Sequence, residues 1–166
     1  MNTKSITNYG KPAIGCYADC HRGFVGCARI AIDLAIGYGM PMDRDNGNLL
    51  ARFDHDVERE FDHESLDELC DEAENFLNEQ EARPFLSWGW YEGDFGLYPD
   101  VDMAREDCGF VSGQPDGHDP LDRDYPDADY RGEWLHVSDH GNATLYVRSD
   151  AANADGYSDA EVWSVV

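Results

Sequence analysis

Four groups of side chains in this sequence have types and spacings that could do chemistry. Cys16, Cys20 and His21, followed by Cys27, offer the thiolate and imidazole donors that hold zinc, although structural zinc sites come as two tight pairs and the second pair is missing here. Reduced, partly buried thiols are the competing reading of these cysteines. His136, Asp139 and His140 lie close in sequence and suggest a metal site or a general base, yet Asp-His-Gly-Asn suits a tight turn without any chemistry. His55 and His63 sit among carboxylates, which favour their protonated forms. Asp122, Asp124, Asp127, Asp129 and Glu133 approach a calcium loop, but that pattern needs Asp or Asn at its fifth position and glycine at its sixth, where Pro126 and Asp127 stand. Asp43, Asp45 and Asn46 beside Gly47 fail the same test. No glycine-rich phosphate loop, nucleophile elbow or basic patch for nucleic acid is present. The expectation is a protein that is not an enzyme and carries no cofactor or metal; a small metal-binding enzyme built on Cys16, Cys20, His21 and Cys27 is the alternative.

The residues with the clearest pattern are carboxylates. The stretch 53–81 holds 13 Asp and Glu against one arginine, Arg59. Asp54, Asp56, Glu58, Glu60 and Asp62 alternate with Phe53, His55, Val57, Arg59 and Phe61. From Ser65 the rhythm becomes helical, and Asp67, Glu68, Asp71, Glu72 and Glu74 flank an apolar stripe. So much like charge repels itself and does nothing for stability. Its chemistry is the recognition of something strongly positive.

The whole chain agrees. Its 166 residues carry a formal charge of −23, which excludes nucleic acid and anionic membrane as default partners. The charge is uneven: Lys4, Lys11, Arg22 and Arg29 face only Asp19 in the first 30 residues, and no lysine follows Lys11. Adaptation to high salt would also give an acidic, lysine-poor surface; five cysteines and the clustering of the acids argue against it. Hydrophobic residues at 42% are too many for a disordered acidic chain. The apolar runs are too short to cross a membrane, and residues 1–15 lack a signal-peptide core. A soluble protein of the cytoplasm is expected.

The elements that must position these groups divide the chain into a mainly helical half, about 1–82, and a mainly β half, about 83–166, within a single domain. Residues 13–17 suggest a short strand, and Ile30, Leu34 and Tyr38 at spacing four predict a helix over 24–38 that ends at Gly37 or Gly39. The composition of 42–48 predicts a turn. Residues 49–62 fit strand alternation and helical spacing equally. A capping box, Ser65-x-x-Glu68, opens a helix with Leu66, Leu69, Cys70, Ala73, Phe76 and Leu77 inward, which should end near Gln80. Hairpins are predicted over 85–98 and 133–148, with a last strand over 161–166. Between them, 100–126 reads as a long acidic loop with one helical turn near 103–108. Trp88, Trp90, Tyr91, Phe95 and Tyr98 crowd the first hairpin, and some of them could anchor a partner. The expected fold class is α+β: two main helices packed on an antiparallel sheet of four to six strands.

The acidic block 54–81, the acidic segment 92–130 and this layout resemble the DNA-mimic inhibitors that phages and plasmids encode against CRISPR and restriction systems. The stretches HVSDHGNATLYVR and EVWSVV resemble the closing hairpin of uncharacterised phage and mobile-element proteins. The resemblance implies an inhibitor, anti-CRISPR before antirestriction, acting in the bacterial cytoplasm. Its acidic surface would occupy the basic DNA-binding groove of a CRISPR effector complex or restriction enzyme. The partner-binding residues would be Asp54, Asp56, Glu58, Glu60, Asp62, Glu64, Asp67, Glu68, Asp71 and Glu74. An adaptor for some other basic protein is the alternative that sequence cannot separate from this one.

Overall fold

A computed structural model describes residues 12–19, 21, 23–55, 63–113, 125–138 and 142–165, without the side chains of residues 24, 54 and 55. The fold is α+β, with four helices and two sheets of three and four strands among the described residues. The single antiparallel sheet and two main helices expected above become two sheets, one containing a parallel pair, and four helices. The chain forms two compact units, Met1–Ala82 with Leu86–Tyr98, and Arg83–Phe85 with Pro99–Val166.

In the first unit, β1 (Gly15–Ala18) leads to α1 (Gly23–Gly37). Cys27, Ala28, Ala31, Ile32 and Ala35 of α1 are buried. The helix stops because Gly39 adopts φ +103, letting Met40 N–H reach Ala35 O (2.9 Å) and Gly39 N–H reach Ile36 O (2.9 Å). That pair of bonds satisfies the last carbonyls in the manner that needs a left-handed residue after the helix. Next comes α2 (Arg44–His55), where a turn was expected over 42–48. Asp43 explains the difference: its carboxylate accepts the Asn46 N–H at 2.7 Å. Asp serves turns and helix caps by the same side-chain chemistry, and here Asp43 caps. α2 buries Leu49 and Leu50, so the helical option holds through His55; residues 56–62 lie outside the described residues.

α3 (His63–Gln80) packs Leu66, Leu69, Cys70, Ala73 and Leu77 inward. It begins two residues before Ser65, so Ser65 lies in its first turn rather than capping it. The end at Gln80 is as expected. β2 (Leu86–Tyr91) and β3 (Asp94–Pro99) form the first hairpin, and the sheet order is β1-β3-β2. Trp88, Phe95 and Leu97 are at most 1% exposed and form the sheet's share of the core.

In the second unit, α4 (Val101–Asp107) is capped by Asp100, whose carboxylate accepts the Met103 N–H at 2.8 Å. β4 (Phe110–Ser112) follows and pairs parallel to β5 (Gly132–Val137). The segment expected as one long loop therefore starts with a helix and a strand, and residues 114–124 of it lie outside the described residues. β6 (Ala143–Asp150) and β7 (Tyr157–Val165) complete the order β4-β5-β6-β7. Trp134, Leu135, Val137, Ala143, Leu145 and Trp163 are buried. Trp163 Nε1 donates to Pro84 O at 2.9 Å, fixing residues 83–85 to this sheet.

The charged centre of this unit is Arg148, 2% exposed. Its guanidinium grips Asp159 through two bonds of 2.8 Å, donates to Pro126 O (2.7 Å) and Asp127 O (3.1 Å), and lies over the Tyr157 ring at 4.0 Å. Those bonds from Arg148, joined by one from Trp134 Nε1, hold the Asp159 carboxyl below its ordinary range. A buried cation left without such partners would not be tolerated.

Candidate interaction surface

The apolar residues of α3 recur at three- and four-residue spacing and face the core. The remaining positions must therefore face water. Glu64, Asp67, Glu68, Asp71, Glu72 and Glu79 are exposed, while Glu74 is half-buried. The helix holds seven carboxylates and no lysine or arginine. Its 18 residues span roughly 27 Å at 1.5 Å per residue. That is one negative charge per about 4 Å, close to the 3.4 Å per charge along one DNA strand.

This arrangement opposes stability. Glu64 and Glu68, Asp67 and Asp71, and Glu68 and Glu72 are like charges at i,i+4, each pair unfavourable by about 0.2–0.5 kcal/mol. The last turn carries Glu79 and no base, the wrong sign for the negative end of the helix dipole.

Glu74 differs from its neighbours. A Cβ placed on Gly89 would stand 3.6 Å from Glu74 Oε1, so this carboxylate lies against β2. Burial and then the nearby Asp71 push its carboxyl above the ordinary range, opposed by a hydrogen bond from Trp90. One turn further along α3, the Asn78 amide takes the Trp88 N–H (2.7 Å) and donates to Trp88 O (2.9 Å). A side-chain amide thus does for the outer edge of β2 what a neighbouring strand would do, and it blocks pairing with another chain there.

Of the partner-binding residues expected from sequence, Glu64, Asp67, Glu68 and Asp71 share the exposed side of α3, and Glu74 turns to the strand edge. Asp54 lies on α2, with its side chain outside the description. Asp56, Glu58, Glu60 and Asp62 lie outside the described residues. Asn78 has no visible role in the sequence, since nothing in a helical pattern says that an amide will meet a strand edge.

The other candidate clusters come out as follows. Cys16 is exposed on β1, whereas Cys27 is buried with its thiol donating to Asp19 O at 3.2 Å. Cys20 lies outside the described residues. Among the described residues no group of three or more His, Cys, Asp or Glu side chains could hold a metal ion. His136 Nδ1 meets Ser112 Oγ at 2.8 Å across the parallel strands β4 and β5. Ser112 is 2% exposed, so the contact satisfies a buried hydroxyl that no substrate reaches. Asp139 and His140 lie outside the described residues, as do Asp122 and Asp124. No helix is long and apolar enough to cross a membrane among the described residues.

Comparison with known proteins gives no family: no family model, curated protein or solved structure matches the chain.

Proposed function

We propose that the protein is a DNA-mimic inhibitor of a bacterial defence complex, acting in the host cytoplasm on a CRISPR effector before a restriction enzyme. The observation that carries this reading is the outer side of α3: carboxylates at i,i+4 with no lysine or arginine among them, kept at a loss of helix stability. A net charge of −23 makes a Lys/Arg groove that grips phosphates its natural partner. Occupying such a groove releases the same counterions as DNA does, without reading any base.

The test uses purified CRISPR effector complexes and restriction endonucleases, each with a labelled duplex. The wild type should stop at least one of them from binding DNA, with an effect that falls steeply as salt rises. Reversal of Asp67, Glu68 and Asp71 to lysine should abolish it while the protein stays folded. Inhibition that survives the triple reversal would contradict the proposal.

A further inference from the structure

The turn between β2 and β3 contains only Glu92 and Gly93, both with positive φ, +52 and +91. Such a turn ordinarily takes Asn-Gly, Asp-Gly or Gly-Gly, because other side chains resist the left-handed region. Glutamate is a strained choice there, and strain kept at an exposed position is a pointer to use.

What surrounds Glu92 says what the use is. A two-residue turn sets Tyr91 opposite Asp94, and alternation puts Gly89, Gly96 and Tyr98 on the same side of the sheet as that pair. Tyr91 is 63% exposed, and its ring centre lies 5.8 Å from that of Tyr98, tilted by 51°. The Tyr98 ring folds over Gly96, where an added Cβ would stand 2.6 Å from its hydroxyl end. Beside Gly89 lies the Glu74 carboxylate of α3. Two tyrosine rings and the Asp94 carboxylate, which also accepts from the Cys16 thiol, therefore share one side of the hairpin end, with Glu92 exposed in its turn and Glu74 beside Gly89.

We propose that this hairpin end is a guanidinium-binding site, and that its occupant is an arginine from the basic surface of the partner. Arginine fits because its planar head stacks on aromatic faces while its fork donates to carboxylates; a lysine ammonium does neither as well. The inference rests on the decoy reading and deepens it: α3 supplies unspecific negative charge, and the tyrosine end chooses arginine over lysine.

The test measures binding of fluorescein-labelled oligoarginine and oligolysine of equal length by anisotropy. The wild type should bind oligoarginine about fivefold tighter than oligolysine, the size of one partly exposed cation–π contact. Tyr91→Ala should remove that margin by weakening oligoarginine alone. Glu92→Asn should narrow it too while raising the melting temperature, because asparagine suits the turn. That last pairing separates a binding role from a folding role. Equal affinities in the wild type, or an equal loss for both peptides in Tyr91→Ala, would overturn the inference and leave the decoy reading standing. Failure to bind either peptide would overturn both.

Discussion

Reversing Glu68 to lysine should make the protein more stable and a poorer decoy. Glu68 has Glu64 four residues before it, Glu72 four after and Asp71 three after, all on α3 and all exposed. Each like-charge neighbour is unfavourable by about 0.2–0.5 kcal/mol. Glu68→Gln removes three such repulsions, a gain of about 1 kcal/mol. Glu68→Lys turns them into attractions and should gain about 2 kcal/mol, of which the Glu64–Lys pair has the better orientation along the helix. In a protein of this size that raises the melting temperature by about 4–8 °C. Paired thermal and urea denaturation of wild type, Gln and Lys variants would measure it at two salt concentrations. At about 10 mM salt the Debye length is about 30 Å, and at about 1 M it is about 3 Å. Most of the gain should vanish at the higher salt. A Lys variant less stable than wild type, or one equally stabilised at both salts, would refute the claim that the acidic side of α3 opposes its own fold.

Three further outcomes are expected. Glu74→Gln should stabilise the protein at neutral pH and change little in acid. The raised carboxyl contributes stability below the ordinary glutamate value of 4.5 and loses it as pH rises through the folded value, so urea midpoints at several pH values should show a gap that opens upward. Arg148→Met should cost about 3 kcal/mol by leaving Asp159 beside an apolar group. Because Asp159 is held below its ordinary 3.8, the wild-type advantage is present above that value and should shrink as pH falls toward the folded one, as pH-dependent denaturation would show. Asn78→Ala strips both partners from Trp88's backbone, with an expected cost of about 1–3 kcal/mol, and light scattering should show more self-association through the bared edge of β2.

Much of the fold was legible because burial and period agree. The α3 stripe of Leu66, Leu69, Cys70, Ala73 and Leu77 is buried as its spacing requires, and both hairpins fall where apolar runs flank turn residues. The start of α2 was illegible because Asp43 does the same side-chain chemistry in a cap as in a turn. The strand β4 was hidden because three residues, Phe110–Ser112, are too few to show alternation and gain their pairing from β5, far along the chain. On the candidate surface, the exposed acids of α3 followed directly from its apolar side. Glu74 did not, since its burial comes from β2, a strand that no helical pattern includes. The strained turn at Glu92 was visible in the sequence only as the wrong residue before a glycine.

The most direct measurement is a competition titration. A DNA-binding effector that captures the protein is saturated with labelled duplex, and the protein is added at several salt concentrations. DNA and protein should exclude one another at a single site, with the apparent affinity of both falling together as salt rises. A ternary complex of effector, duplex and protein, with neither ligand weakening the other, would contradict DNA mimicry.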